Sequence, residues 1–171
     1  MNEIQPLVIT ELLSEDEETG ELSLFHGGRD PLIIRAMIQQ LKDDLMALPE
    51  HAEMPVEHTF ANGMYCRKLF IKKGTILIGK IHKMECLNIV AKGDISVLTE
   101  TGSLRVQAGY TVVSPAGIQK VGLAHEDTIF INVFQIGETD MEKLENDIAC
   151  ENYADLEVSQ PLICEGVTIC Q

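Results

Sequence analysis

The sequence from Gly74 to Gly93 is GTILIGKIHKMECLNIVAKG, and from Gly109 to Lys120 it is GYTVVSPAGIQK. Both stretches consist of short apolar runs separated by glycine or proline, and the same pattern extends over residues 55–137. Many short strands separated by turn residues are typical of an antiparallel β-sandwich or β-barrel. We therefore predict that residues 55–137 form a β-barrel.

A helix is predicted ahead of this barrel, in an N-terminal arm that covers residues 1–54. The Asp30 side chain can cap the first free amides, Pro31 suits the first helical position, and Pro49 would end the helix. Between them, apolar residues recur at three- and four-residue steps: Ile34, Met37, Ile38, Leu41, Leu45 and Leu48. One apolar stripe of this kind predicts an amphipathic helix.

A shorter helix is predicted after the barrel, in a C-terminal region that covers residues 138–171. Thr139 and Glu142 have the spacing of a capping box, in which the hydroxyl and the carboxylate each meet a free amide. We expect this helix to run to about Ala149 and to be followed by a polar tail.

The charge of the chain is unevenly distributed. The sequence has 13 Lys and Arg against 27 Asp and Glu, a net charge of −14, yet residues 55–137 carry about +3. Such an acidic chain is a poor partner for nucleic acid, which is bound through phosphate neutralisation. No apolar run approaches the roughly 20 residues that span a bilayer, and the N-terminus lacks the features of a secretory signal. We therefore expect no membrane association. From the charge distribution we expect the acidic arms to lie against a basic face of the barrel or of a neighbouring molecule.

The spacing of the two stretches resembles the two sequence motifs of the cupin superfamily. The first cupin motif has a Gly, five residues, His-x-His, three or four residues, a Glu, six residues and a Gly. Lys80, His82 and Cys86 occupy the positions of the two His and the Glu here. The second motif has a Gly, five residues, Pro-x-Gly, two residues and a His, whose position is taken by Lys120. The resemblance implies a mainly β fold with a single cupin-type jelly roll.

In cupins these four positions hold a divalent metal, and here two of them are ammonium groups that repel a cation. His82 and Cys86 could still bind a soft divalent metal such as zinc, helped by Glu85 or His125. The alternative is a hydrogen-bonded histidine beside a buried thiol. We expect no cofactor, with zinc as the alternative. The five cysteines include no C-x-x-C pair and are interpreted as free thiols.

If the alignment holds, Lys80 and Lys120 point into the mouth of the barrel. Together with His82 they could bind an anionic ligand such as a carboxylate or a phosphate. The alternative is internal pairing with Glu85 or with an acidic residue of an arm, since a buried lysine needs a partner or loses its charge. Both hypotheses place Lys80, His82 and Lys120 at the candidate site.

The chain also resembles a group of phage and prophage cupin-like proteins. The resemblance lies in Gly74–Gly93, Val113–Gly117, Ala124–Thr128, and Glu138–Asp140 with Glu142 and Lys143. This resemblance and the altered metal positions favour a non-enzymatic, homo-oligomeric structural or interaction module. Other virion proteins would then be further partners, and the protein would be located in the host cytoplasm or in the virion. The alternative is a small-molecule-binding cupin, or a metal-dependent cupin enzyme with an atypical site around His82 and Cys86.

Overall fold

The computed structural model describes residues 12–15, 22–24 and 27–159. In chain order the elements are β1 Leu13–Glu15, β2 Leu22–Leu24, α1 Pro31–Met46, β3 Val56–Ala61, β4 Met64–Ile71, β5 Ile76–Ile78, β6 Ile81–His82, β7 Cys86–Lys92, β8 Asp94–Thr99, β9 Gly102–Gln107, β10 Thr111–Ser114, β11 Val121–Ala124, β12 Thr128–Phe134, α2 Met141–Ile148, β13 Ala149–Cys150 and α3 Tyr153–Ser159. None of the helices in the described part of the chain combines the length and apolarity needed to cross a membrane.

Two antiparallel sheets form the body of the protein. One sheet has the strand order β10-β7-β12-β4-β3 and the other the order β5-β11-β8-β9, while β1-β2 and β13-β6 form small pairs. The two sheets face each other and enclose a core that includes Leu69, Ile71, Val90, Ile95 and Val106. This mainly β jelly roll confirms the predicted fold class. The predicted division into residues 1–54, 55–137 and 138–171 stays a prediction.

Helix α1 covers the outer face of the four-stranded sheet. The Asp30 carboxylate accepts a hydrogen bond from the Leu32 amide at 2.8 Å, which confirms the predicted cap. Four residues of the predicted stripe are buried, and they pack with Leu98, Val121 and Leu123 of the sheet: Ile34, Met37, Ile38 and Leu41. Leu48 was expected on the stripe but lies beyond the end of the helix and is exposed. The stripe therefore ends with the last helical turn.

Helix α2 closes one end of the barrel. Leu144 and Ile148 are buried there against Tyr65, Cys86 and Phe134. The predicted bounds of this helix are close to those observed, but the predicted cap is wrong. Its capping side chain belongs to Asp140, whose carboxylate accepts from the Lys143 amide at 3.1 Å.

The capping box failed because another carboxylate occupies the backbone around Thr139. Glu138 accepts hydrogen bonds from the amides of both Thr139 and Asp140 at 2.8 Å. The tail expected after this helix begins with the further helix α3, and its remainder, residues 160–171, lies outside the described residues.

Strand β11 is buried at all four positions, so it lacks the alternation by which strands are recognised in sequence. Gly122 and Ala124 face the barrel interior, whereas Val121 and Leu123 lie under helix α1. A strand covered on both faces has a continuous apolar pattern. This burial fixes the position of Lys120, the residue that immediately precedes the strand.

Gly93, the last glycine of the first motif, is required by the turn between β7 and β8. Its φ angle is +88°, a left-handed conformation that favours glycine. A Cβ atom there would lie 2.5 Å from Oγ1 of Thr128 and 2.7 Å from the carbonyl oxygen of Asp127. The spacing of the motif thus has a steric cause in this chain.

Replacing Ile38 by alanine should destabilise the protein by about 2–5 kcal/mol, because it leaves a cavity between α1 and the sheet. Ile38 is 1% exposed, whereas Ile33 on the same helix is 53% exposed and provides the matched control. Urea unfolding of Ile38→Ala and Ile33→Ala would measure the difference. Equal losses in the two variants would contradict the packing of α1 described here.

Candidate functional site

A row of polar side chains crosses the inner face of the five-stranded sheet. Arg67 on β4 is opposite Asn132 on β12, and Asn132 is opposite Asn88 on β7. Asn88 and Asn132 are buried, and apolar or aromatic side chains lie on both sides of the row. The interior of the barrel therefore contains a polar layer between two apolar layers. We call Arg67, Asn132, Asn88 and Lys120 the polar belt.

Asn88 is the centre of this belt. Its Oδ1 atom accepts hydrogen bonds from Nδ2 of Asn132 at 2.7 Å and from Nζ of Lys120 at 3.2 Å. Its Nδ2 atom donates to Oγ of Ser114 at 2.7 Å and to the carbonyl oxygen of Val112 at 3.1 Å. A side-chain amide whose donors and acceptor are all engaged is held in one orientation. Asn88 therefore fixes the position of the Lys120 ammonium group.

Lys120 enters the barrel as the second motif predicts, but it has a neutral partner. Among the described residues no carboxylate forms an ion pair with it, and its bond to Asn88 is to an amide oxygen. The predicted pairing with Glu85 or with an acidic arm residue is therefore not seen there. Burial lowers the pKa of the Lys120 ammonium group. An anion beside Nζ would oppose that effect.

Arg67 is a member of the belt that the sequence analysis missed. Its Nε atom is buried, and no atom of the described residues accepts a hydrogen bond from it. A buried donor without an acceptor is uncommon and costs free energy. The signal in the sequence is the two-residue period of β4, which places Arg67 on the same face of the strand as the apolar residues Tyr65, Leu69 and Ile71.

His82 and Cys86 lie close together, as the first motif predicts. The distance between Nδ1 of His82 and Sγ of Cys86 is 3.2 Å. Burial, followed by the positive charges of Lys120 and Arg67, lowers the pKa of His82 to about 3. Burial also raises the pKa of the Cys86 thiol. Both groups are therefore neutral near pH 7, and the pair does not form the thiolate and imidazolium of a cysteine nucleophile.

The residues at the four motif positions do not fit a divalent metal. Only His82 and Cys86 offer metal-ligating atoms, and the ammonium group of Lys120 is held beside them. His125, a suggested helper, lies within 2.7 Å of Oγ of Ser96 instead, and Glu85 is exposed. In the described part of the chain, no three His, Cys, Asp or Glu side chains gather as a metal-binding group.

Lys80 lies at the edge of the barrel cavity and is paired with acids of the C-terminal region. Its Nζ atom is 3.2 Å from Oε1 of Glu151 and 3.8 Å from Oε2 of Glu145 on α2. About half of the Lys80 side chain is exposed to solvent. The expected contact of acidic flanks with a basic barrel is thus made here, between Lys80 of the barrel and two acids of the C-terminal region.

A cavity of about 240 Å³ lies beside the polar belt and is lined by Arg67, His82, Lys120 and Asn132, with Lys80 and Glu145 also contributing. Its remaining lining is largely apolar and includes Leu69, Leu77, Ile95, Val97 and Phe130. A second cavity, of about 310 Å³, shares Val97, Lys120 and Phe130 with the first and extends between β9 and β10. Lys120 therefore lies where the two cavities meet.

Comparisons with known proteins return solved structures at low sequence identity. The chain is similar to KdgF from Halomonas sp., with 16% identity and a TM-score of 0.46 over 54% of this chain and 88% of that chain. It is similar to an RmlC-like cupin from Shewanella frigidimarina, with 16% identity and a TM-score of 0.44 over 56% and 93%. EutQ from Clostridium difficile has 13% identity and a TM-score of 0.43 over 50% and 70%. No family model and no curated protein matches the sequence.

The stability of the protein should depend on pH through His82. Its pKa is about 3 in the native state and near 6.5 when unfolded, so the unfolded chain binds more protons between these values. Stability from this source is present above pH 6.5 and falls, by on the order of a few kcal/mol, as the pH drops towards 3. His82→Gln removes the effect.

Urea unfolding of wild type and His82→Gln at several pH values would check this. The stability of wild type relative to the variant should decrease steadily on acidification from pH 6.5 to about 3. Parallel pH profiles for the two proteins would show that His82 is not held neutral by its surroundings.

Proposed function

We propose that this chain is a cupin-type jelly roll that binds a small anionic molecule inside its barrel, without a resident metal ion. The binding groups are Arg67 and Lys120. His82 lines the same cavity as a neutral side chain, which does not add to the positive charge. Lys80 lies at the cavity edge, where Glu145 and Glu151 already neutralise it.

The observation that carries this proposal is the buried Nε atom of Arg67, which has no hydrogen-bond acceptor among the described residues. Lys120 lines the same cavity and bonds to an uncharged oxygen. Lys120 and the Nε atom of Arg67 are partly removed from water without a carboxylate partner among the described residues, which costs the folded protein free energy. An anion between them would supply the missing acceptor and the missing charge.

The choice of an anion over a metal follows from the sign of the charge at the belt. Both Lys120 and Arg67 act on His82 as positive charges, and they lower its pKa further than burial alone does. A divalent cation placed beside His82 would meet the same repulsion. An anion at the same place would be attracted by both groups.

Binding of acetate and inorganic phosphate at low ionic strength tests the proposal. Arg67→Met and Lys120→Met should each weaken binding of the preferred anion at least tenfold, because each removes a charge-assisted hydrogen bond in a buried site. Lys73→Met changes the net charge equally at an exposed position and should bind as wild type does. Isothermal titration calorimetry would measure all four proteins.

Two results would contradict the proposal. The first is equal anion affinity in Lys120→Met and Lys73→Met, which would place binding on the surface. The second is stoichiometric zinc in the purified protein that is lost in His82→Ala, which would support the metal site expected as the alternative at His82 and Cys86.

A second candidate function is self-association, favoured by an apolar edge on the five-stranded sheet. Strand β10 ends this sheet, and within the described residues no strand pairs with its outer side. Val113 is 57% exposed, and Tyr110 and Val112 beside it are also exposed. Unpaired edge strands with apolar side chains readily pair with another chain. A homo-oligomer joined through β10 is consistent with the interaction module expected from the sequence, and contacts with virion proteins stay a prediction.

Light scattering across a concentration series would check this candidate. Wild type should form a discrete oligomer, and Val113→Lys should shift it towards the monomer, because a charge on the edge opposes strand pairing. Leu32→Lys, on the exposed side of α1 at 69% exposure, is the matched control. An oligomer that resists Val113→Lys, or that Leu32→Lys disrupts equally, would contradict pairing through β10.

A further inference from the structure

We infer that the anion is a monocarboxylate with an apolar chain, whose carboxylate lies at the polar belt and whose chain extends into the apolar part of the 240 Å³ cavity. This inference rests on the proposed function and goes further, because it names the class of ligand. Three features of the cavity support it: the two cationic groups at the belt, the apolar lining beyond the belt, and the volume.

Two cationic groups of the belt, Arg67 and Lys120, line the cavity. Nε of Arg67 has no acceptor among the described residues, and the Lys120 ammonium group donates one hydrogen bond to Asn88. The amide of Asn132 already donates to Asn88. Two cationic groups match the two oxygens of a carboxylate. A phosphate has no apolar part that could occupy the apolar remainder of the cavity.

The cavity becomes apolar one step along the strands from the belt. On the five-stranded sheet, Leu69 is paired with Phe130, the next inward positions after Arg67 and Asn132. The facing sheet contributes Leu77, Ile95 and Val97 to the same cavity. A polar group placed here would lose its hydrogen bonds to water, whereas a hydrocarbon chain would gain by leaving water.

Gly122 contributes to the space available for this chain. It occupies an inward position on β11, where a Cβ atom would lie 2.7 Å from Cδ2 of Leu77 and 3.2 Å from Cδ1 of Ile95. The cavity of about 240 Å³ has room for on the order of eight non-hydrogen atoms, at about 30 Å³ for each water-sized group. Hexanoate has about this many.

The experiment compares acetate, butyrate, hexanoate, octanoate and decanoate by isothermal titration calorimetry, with hexanol and inorganic phosphate as reference ligands. Affinity should rise about fourfold for each added methylene, the factor that corresponds to burying one such group, and should stop rising near hexanoate or octanoate. Hexanol should bind at least tenfold more weakly than hexanoate, because it lacks the charge.

Two substitutions at the chain end of the cavity should move the preferred length in opposite directions. Gly122→Ala fills space and should shift the optimum to a shorter carboxylate, with acetate affinity unchanged. Leu77→Ala opens space and should shift the optimum to a longer one. Opposite shifts from two variants would not arise from a general loss of structure, and thermal unfolding of both would show that they fold.

The outcomes separate this inference from the proposed function. Binding of acetate or phosphate through Arg67 and Lys120, with no gain from chain length, would overturn the inference and leave the proposed function in place. Absence of binding by every anion tested would overturn both. A length dependence that is the same for the carboxylates and for neutral alcohols would show an apolar cavity without an anion site, and would also overturn the inference.

Discussion

The structure is organised around two cationic side chains inside a β-barrel. Arg67 and Lys120 line one cavity, and neither forms an ion pair with a carboxylate of the described residues. Removing a charge from water costs several kcal/mol unless a partner compensates it. This cost falls at the place where, as the resemblance implies, cupins concentrate their metal ligands. The positive charge at this place is the reason for proposing an anionic ligand.

The surrounding elements hold these charges in place. Asn88 uses both its oxygen and its nitrogen to connect β7, β10, β12 and Lys120, so the ammonium group cannot easily turn away. Strand β11 is fixed between the barrel core and helix α1, which sets the direction in which Lys120 enters. Helix α2 closes the adjacent end, and its Glu145 pairs with Lys80 rather than with the belt. Binding at the belt therefore requires little rearrangement of these elements.

Much of the fold could be predicted from the sequence because glycine and apolar spacing are local signals. The cap of α1 and its buried stripe follow from neighbouring residues alone. The motif spacing also placed His82 beside Cys86 and Lys120 inside the barrel. The same alignment assigned a position to Lys80, which lies at the edge of the cavity.

The remaining features depend on contacts between distant residues. Arg67 belongs to the site because β4, β12 and β7 align it with Asn132 and Asn88, and the strand pattern alone does not give that register. The partners of Lys80 come from the C-terminal region, so no local pattern could identify them. Strand β11 has no alternation of apolar and polar residues, because both of its faces are buried.

The central claim is that Lys120 is a buried cation that an anionic ligand compensates. Its most direct test is the pKa of the Lys120 ammonium group, measured by nitrogen-15 NMR with and without saturating hexanoate. The account predicts a pKa below the ordinary value of lysine in the free protein and a rise when hexanoate binds, because the carboxylate favours the charged form. An ordinary pKa that hexanoate does not change would contradict it.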